Sequence, residues 1–224
     1  MRPGTHGTIT EIPIITLHTW TTPNGRKVSI MLEELGIAYD VNAVNLGKNA
    51  QFAPEFLAIS PNNKIPAITD LLPDGSSLSV FESGAILTYL AEKHGQVLDA
   101  SGPGRYKQLE WLNWQVGGLG PMLGQLGFFE KFSKEKSELA SQRFVTEADR
   151  LLTVMDAALS RNQYLGGDTY SIADIAAYPW VLTANTFLAD VLSAQIAAKP
   201  DLQDWLARVG ARPAVQRGMA IPAV

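Results

Sequence analysis

Phe81-Glu82-Ser83-Gly84-Ala85-Ile86, standing shortly after Asn63-Lys64-Ile65-Pro66-Ala67, is the stretch on which the reading of this chain turns. Glu-Ser at the opening of an apolar helix sets a carboxylate, a hydroxyl and free backbone N–H groups at one point. Such a point can hold both charged ends of an amino-acid head group. Ile65-Pro66 is a restricted dipeptide beside an apolar run, suited to a fixed turn next to a strand. Together they point to a grip on a small zwitterion.

Outward from this stretch, Ile12 to His18 is β-branched and apolar and reads as a buried strand, followed by a loop from Thr19 to Asn24. Val28, Met31, Leu32 and Leu35 keep helical spacing until Gly36. Val41 to Leu46 reads as a second strand and Pro54 to Ile59 as a short helix. Ala67 to Leu72 and Leu78 to Phe81 flank Pro73-Asp74-Gly75-Ser76-Ser77, whose Asp-Gly step signals a hairpin. A helix then runs from Ser83 toward Gly95, giving the order β-α-β-α-β-β-α over residues 12–95.

Residues 96–104, ending in Ser101-Gly102-Pro103-Gly104, lack periodicity and read as a linker. Beyond it the strand signals fade. Tyr106 to Trp114, Leu139 to Leu159, Ile172 to Leu188 and Leu202 to Val209 are helical by spacing, and Gly117-Gly118-Leu119-Gly120-Pro121 is expected to bend or interrupt the first. The chain therefore divides into an α/β part and an all-helical part over residues 105–217.

The 224 residues are 46% hydrophobic and 18% charged, as in ordinary globular proteins. A net charge of −4 with no Lys/Arg-rich block argues against nucleic acid as a partner. No run of ~18 apolar residues exists to span a membrane, and Met1 to Gly7 shows no secretory pattern, so the cytoplasm is the expected location. There is no cysteine, which excludes disulfides, thiolate metal sites and a Cys nucleophile. Any sulfur chemistry must use a sulfur that the ligand brings.

Thr22-Pro23-Asn24-Gly25-Arg26-Lys27-Val28, Pro61-Asn62-Asn63-Lys64-Ile65-Pro66-Ala67, Phe81-Glu82-Ser83-Gly84-Ala85-Ile86 and Gly117-Gly118-Leu119-Gly120-Pro121-Met122-Leu123-Gly124-Gln125 occur in this order in the two halves. In these motifs, from about Ile14 to Pro213, the chain resembles the nu class of the glutathione transferase superfamily. That class comprises bacterial enzymes with disulfide-bond reductase activity, akin to the fungal prion-type nitrogen regulator. The resemblance implies a thioredoxin-like domain with a cis-proline followed by an all-helical domain. Two features depart from the pattern: Trp20-Thr21 stands where many relatives have Ala-Pro, and Leu126-Gly127-Phe128-Phe129 replaces a polar, His-containing stretch.

By this resemblance the zwitterion is the γ-glutamyl end of glutathione. Glu82 would meet its ammonium, and Ser83 with the helix N-terminus its α-carboxylate; N-capping by Ser83 is compatible with that role. Pro66 would follow a cis bond that offers the Ile65 backbone to the cysteinyl part. Lys64 and Gln51 would reach the glycyl carboxylate, although either also reads as a solvated surface residue. Arg143 resembles the position that reaches a glutathione carboxylate from the neighbouring subunit, and otherwise reads as an exposed helix Arg. The chemistry would centre on Thr22 and Asn24. Lowering a thiol pKa from ~8.5 by ~2 units takes ~2.7 kcal/mol. A hydrogen bond to a charged group supplies ~1.5–3 kcal/mol and a helix N-terminus ~0.3–2. The Thr22 hydroxyl with backbone N–H groups near Asn24 therefore suffices, and without the family the same Thr-Pro-Asn-Gly reads as an N-capped turn.

Ser171-Ile172-Ala173-Asp174 reads as a capping box, not a catalytic acid. His6, His18 and His94 have no metal-ligand spacing. Trp111, Trp114 and Trp180 sit among helical apolar positions and read as core, whereas Phe128, Phe129 and Phe132 are candidates for a second-substrate pocket. The resemblance implies a homodimer binding two glutathiones, or oxidised glutathione, per subunit and reducing a small disulfide or hydroperoxide. Conjugation of an electrophile is the near alternative, a glutathione sensor with little turnover a rival, and a structural protein borrowing the fold a weaker option.

Overall fold

The computed structural model describes residues 14–224, so Ile12 and Pro13 of the first expected strand, and His6, lie outside the described residues. β1 (Ile15–Thr19) is the central thread of a four-stranded sheet. It pairs in parallel with β2 (Tyr39–Ala43) and antiparallel with β3 (Ala67–Leu71), which pairs antiparallel with β4 (Ser77–Phe81). Leu17 faces Val41 on one side and Ile68 on the other. Leu17, His18 and Thr19 are all buried, as expected of a strand covered on both faces.

α1 (Pro23–Leu35) crosses from β1 to β2. Thr22 caps it, Pro23 opens it where no N–H is needed, and Gly36 closes it at φ 65°. Gly25 is required by close approach: a Cβ there would lie 2.3 Å from the Trp20 carbonyl oxygen and 2.4 Å from Thr19 Oγ1. α2 (Pro54–Leu57) is a single turn, and α3 (Ser83–His94) leaves the end of β4 and stops at Gly95. The β-α-β-α-β-β-α order holds, but β2 lies earlier than its apolar residues indicate. It is an edge strand with mostly exposed side chains, and Asn45 turns the chain by accepting the Lys48 N–H, so Leu46–Lys48 is a 3-10 turn rather than strand.

α4 (Gly102–Trp114) begins within the stretch that lacked periodicity. The glycine-rich run after it does not stop the helix. Gln115–Leu119 widens into a π turn, α5 (Gly120–Gly127) resumes, and Phe128–Phe132 forms a second π turn. Pro121, lacking an N–H, falls in the first turn of α5, where its loss is tolerated. α6 (Glu138–Leu159) follows. The single helix expected from Ile172 to Leu188 ends sooner: α7 (Ile172–Asn185) breaks at Thr186, and α8 (Ala189–Ala197) turns away. No Gly or Pro marks that break. α9 (Pro200–Gly210) and α10 (Pro213–Met219) complete the chain, α10 packing back on α1.

α7 is the axle of the molecule, with Ile172, Ile175, Ala176, Val181 and Ala184 fully buried. It contacts α1, α3 and α4, so one apolar core joins Leu17, Met31 and Leu87 of the first half to Leu119, Leu152 and Trp205 of the second. Among the described residues no single helix is long and apolar enough to cross a membrane; α7 and α8 pass such a test only as a pair bent by 111°.

Candidate functional site

The start of α3 is an open helix end. Glu82 occupies the N-cap with φ 71°, a backbone conformation rare for a side chain with a Cβ, and makes no capping hydrogen bond. The first N–H groups of the helix are therefore not closed by that side chain. Ser83 is 8% exposed, and its oxygen accepts a hydrogen bond from the Lys27 ammonium at 3.3 Å.

Facing it is the start of α1. Thr22 Oγ1 accepts the Gly25 N–H at 3.2 Å, which leaves the hydroxyl proton free to donate. Pro23 has no N–H and Asn24 lies in the first helical turn, where an N–H has no intrahelical acceptor. Asn24 Oδ1 accepts the Trp180 indole N–H of α7 at 2.9 Å. The Asn24 amide donors consequently turn away from Trp180.

Three adjoining cavities of about 130, 280 and 380 Å3 all have Asn24 and Lys64 in their walls, so they form one cleft between the halves. Ile65, Pro66, Glu82 and Ser83 line its middle, and Thr22, Gln51 and Phe52 one end. The Ile65–Pro66 peptide is cis, as the resemblance implied. The buried Gln51 Oε1 has no partner among the described residues. Eight of the nine residues singled out in the sequence thus share a cleft. The ninth, Arg143, is exposed on α6 in a separate groove with Met122, Leu139 and Glu147.

Among the cleft's residues, sequence reasoning missed Lys27 and Gln115 and misread Trp180. Lys27 is 1% exposed, and it donates to Gln115 Oε1 at 2.6 Å as well as to Ser83. Burial pulls its pKa down to about 7, against the opposing pull of the Glu82 carboxylate. A signal for Lys27 was present: it stands four residues before Met31 on the buried stripe of α1, where lysine is rare. Gln115 opens the π turn and carries no comparable mark. Trp180 reads as core by spacing, yet it is only half-buried and walls the cleft. Phe128, Phe129 and Phe132 do not line the cleft cavities. Phe129 stacks on Phe144 and Phe132 on Phe187, whereas Trp180 and Phe52 stand in the cleft wall.

Other polar groups are spent on structure. Asp174 is fully buried and accepts from the backbone N–H groups of Leu165 and Ser171 at 3.0 Å and from the Trp205 indole at 2.8 Å. It completes the capping box with Ser171, and burial raises its pKa. His18 sits between Thr69 and Asn42, its pKa lowered by burial. Among the described residues no three His, Asp or Glu side chains cluster as metal ligands would.

Residues 17–98 match the family model for the glutathione S-transferase N-terminal domain, and residues 119–213 match that for the C-terminal domain. The disulfide-bond oxidoreductase YfcG of Escherichia coli strain K12 is 46% identical over 208 residues, covering 92% of this chain and 94% of YfcG. A glutathione transferase family member from Pseudomonas fluorescens Pf-5, crystallised with two glutathione bound, superposes with a TM-score of 0.90 at 45% identity, covering 96% of both chains. A glutathione transferase from Pseudomonas putida, crystallised with one glutathione disulfide per subunit, gives 0.89 at 45% identity, covering 96% of this chain and 94% of that one. With relatives this similar over nearly its whole length, and with matches in both halves, the chain belongs to the glutathione S-transferase family.

Proposed function

We propose that this chain is a glutathione-dependent disulfide-bond reductase that works through the thiolate of its bound ligand. The observation that carries the reading is the pair of helix starts facing one cleft, Glu82 and Ser83 at the uncapped start of α3 and Thr22 and Asn24 at the start of α1, where the Thr22 hydroxyl proton stays free, in a chain with no sulfur nucleophile of its own. Glu82 takes the γ-glutamyl ammonium and Ser83 the neighbouring carboxylate. Ile65 and Pro66 set the cysteinyl part, and Gln51 and Lys64 meet the glycyl carboxylate. The sulfur then lies by Thr22, whose free hydroxyl proton and the Asn24 donors favour the thiolate over the thiol.

The thiolate attacks one sulfur of the disulfide substrate, forming a mixed disulfide and expelling the other sulfur as a thiolate that takes up a proton. A second glutathione thiolate attacks the glutathione sulfur of that mixed disulfide, releasing the second thiol and leaving oxidised glutathione. Two electrons pass from two glutathiones to one disulfide. Relatives crystallised with two glutathiones or with glutathione disulfide support a site of this capacity, and YfcG, named a disulfide-bond oxidoreductase, supports the reaction. A small disulfide is the proposed acceptor. A hydroperoxide or an electrophile would meet the same thiolate.

A homodimer is part of the proposal, because Arg143 lies outside its own cleft and would serve a glutathione only from a neighbouring subunit. A cytoplasmic location, where glutathione is kept reduced, fits the absence of cysteine. The test is steady-state reduction of bis(2-hydroxyethyl) disulfide by glutathione. Saturable turnover is expected. Saturable binding without turnover would make the chain a sensor, and no glutathione-dependent rise in Tm would remove glutathione altogether.

A further inference from the structure

Lys27 is the one cation held inside the cleft wall among the described residues, and its bonding dictates which way its neighbours point. An ammonium has three donors and no acceptor. Its hydrogen bond to Ser83 Oγ at 3.3 Å therefore makes that oxygen the acceptor, and the Ser83 hydroxyl proton must point elsewhere. No other described side chain or backbone carbonyl takes that proton. Its hydrogen bond to Gln115 at 2.6 Å likewise requires the amide oxygen to face Lys27, which sends the amide nitrogen the other way.

That nitrogen, Gln115 Nε2, is buried and has no hydrogen-bond partner among the described residues, in a side chain that is 0% exposed. It faces Gly120, where a Cβ would lie only 2.8 Å from it, so the missing side chain keeps the space open. The same cavity is walled by Lys27, Ser83, Gln115 and Gly120, with Glu82 and Lys64 as its other charged groups. The Ser83 hydroxyl is thus an unused donor beside a buried ammonium, with the unpaired Gln115 amide buried behind it. Buried donors of this kind call for an acceptor, and no described residue accepts from them.

We propose that Lys27 is a positioning residue which, held by Gln115 of the helical half, orients the Ser83 hydroxyl as a hydrogen-bond donor toward the γ-glutamyl carboxylate of glutathione. This rests on the glutathione reading above and extends it: the helical half, through one side chain of its π turn, helps to choose the ligand. Glu82 and Lys27 then divide the zwitterion, the carboxylate of Glu82 facing its ammonium and the ammonium of Lys27 standing behind its carboxylate.

The experiment compares two ligands on three proteins by calorimetric titration. The ligands are glutathione and its analogue lacking only the γ-glutamyl α-carboxylate, 4-aminobutyryl-cysteinyl-glycine. The proteins are the wild type, Lys27→Met and Lys27→Gln, the last retaining a neutral donor for Ser83. Lys27→Met is expected to weaken glutathione ~10- to 30-fold and the analogue less than ~2-fold, the loss typical of a hydrogen-bonded charged group. Lys27→Gln should recover part of the loss, and the loss should appear in KM for glutathione; a loss confined to kcat overturns the proposal. Equal weakening of both ligands, or of neither, overturns the proposal, and Lys27→Gln carries the same comparison if Lys27→Met does not fold. Wild type binding neither ligand would instead overturn the glutathione reading, and this proposal with it.

Discussion

At the start of α7, Ser171 and Asp174 close on each other; at the start of α3, Glu82 and Ser83 do not. Both helices begin with a serine and a carboxylate beside buried apolar residues. In α7 the Asp174 carboxylate takes two backbone N–H groups, the Ser171 hydroxyl and the Trp205 indole, so every strong acceptor position is used inside the fold. In α3 the carboxylate sits on a residue at φ 71°, makes no capping bond, and leaves the helix end facing a cleft. The first arrangement stabilises the protein. The second holds strain and unfilled hydrogen-bonding capacity, which is what a binding site must hold before its ligand arrives.

On this contrast the two sites fail differently. Asp174→Ala strands the Leu165 and Ser171 N–H groups and the Trp205 indole in the core, and should cost roughly 3 kcal/mol or more of unfolding free energy by denaturant titration. Whatever folds should bind glutathione as before. Glu82→Gln should do the reverse: glutathione affinity falls ~10- to 100-fold by calorimetry, as when a charge-assisted hydrogen bond to a ligand is removed, with unfolding free energy changed by less than about 1 kcal/mol. Glu82→Gly should lose the same affinity and gain about 1 kcal/mol of stability, because glycine adopts φ 71° without strain. An Asp174 variant that loses affinity while keeping its stability would erase the distinction.

A smaller effect follows from Lys27. With its pKa near 7, the free protein loses the ammonium as pH rises from 6 to 8. Affinity for S-methylglutathione, which has no titrating thiol, should fall up to ~10-fold over that range, since only the protonated form suits a carboxylate. Stability should move the other way. Lys27 titrates near 10.5 when unfolded, so between pH 7 and 10.5 the unfolded state binds more protons and this residue's contribution to stability rises with pH. Both trends should be missing from Lys27→Met, and a wild type matching that variant at every pH would remove the charge from the account.

The sheet half was largely legible because its signals are local. Thr22-Pro23 is a cap followed by a residue needing no N–H, Asp74-Gly75 is a turn, and Gly36 and Gly95 end helices at positive φ. The cleft wall from the helical half was not legible, for a physical reason. Gln115 matters through a lysine 88 residues away, and Trp180 through an asparagine 156 residues away. Nothing in the spacing of either residue records those partners. The break between α7 and α8 escaped for a related reason: Thr186 leaves the helix without a glycine or proline, so apolar periodicity runs on after the helix has ended. Lys27 lies between these cases, since a lysine on a buried stripe is visible in sequence, and only its partners give it a meaning.

The central claim is that the reacting sulfur belongs to the ligand and is ionised by the start of α1. The direct measurement is a titration of bound glutathione by the ultraviolet absorbance of its thiolate, on wild type and on Thr22→Ala. A bound thiol titrating ~2 units below the usual ~8.5 in wild type, and moving most of the way back in Thr22→Ala while glutathione affinity changes by less than about threefold, is the expected result. A bound thiol that titrates as it does in free solution, or one that Thr22→Ala leaves unmoved, would contradict it.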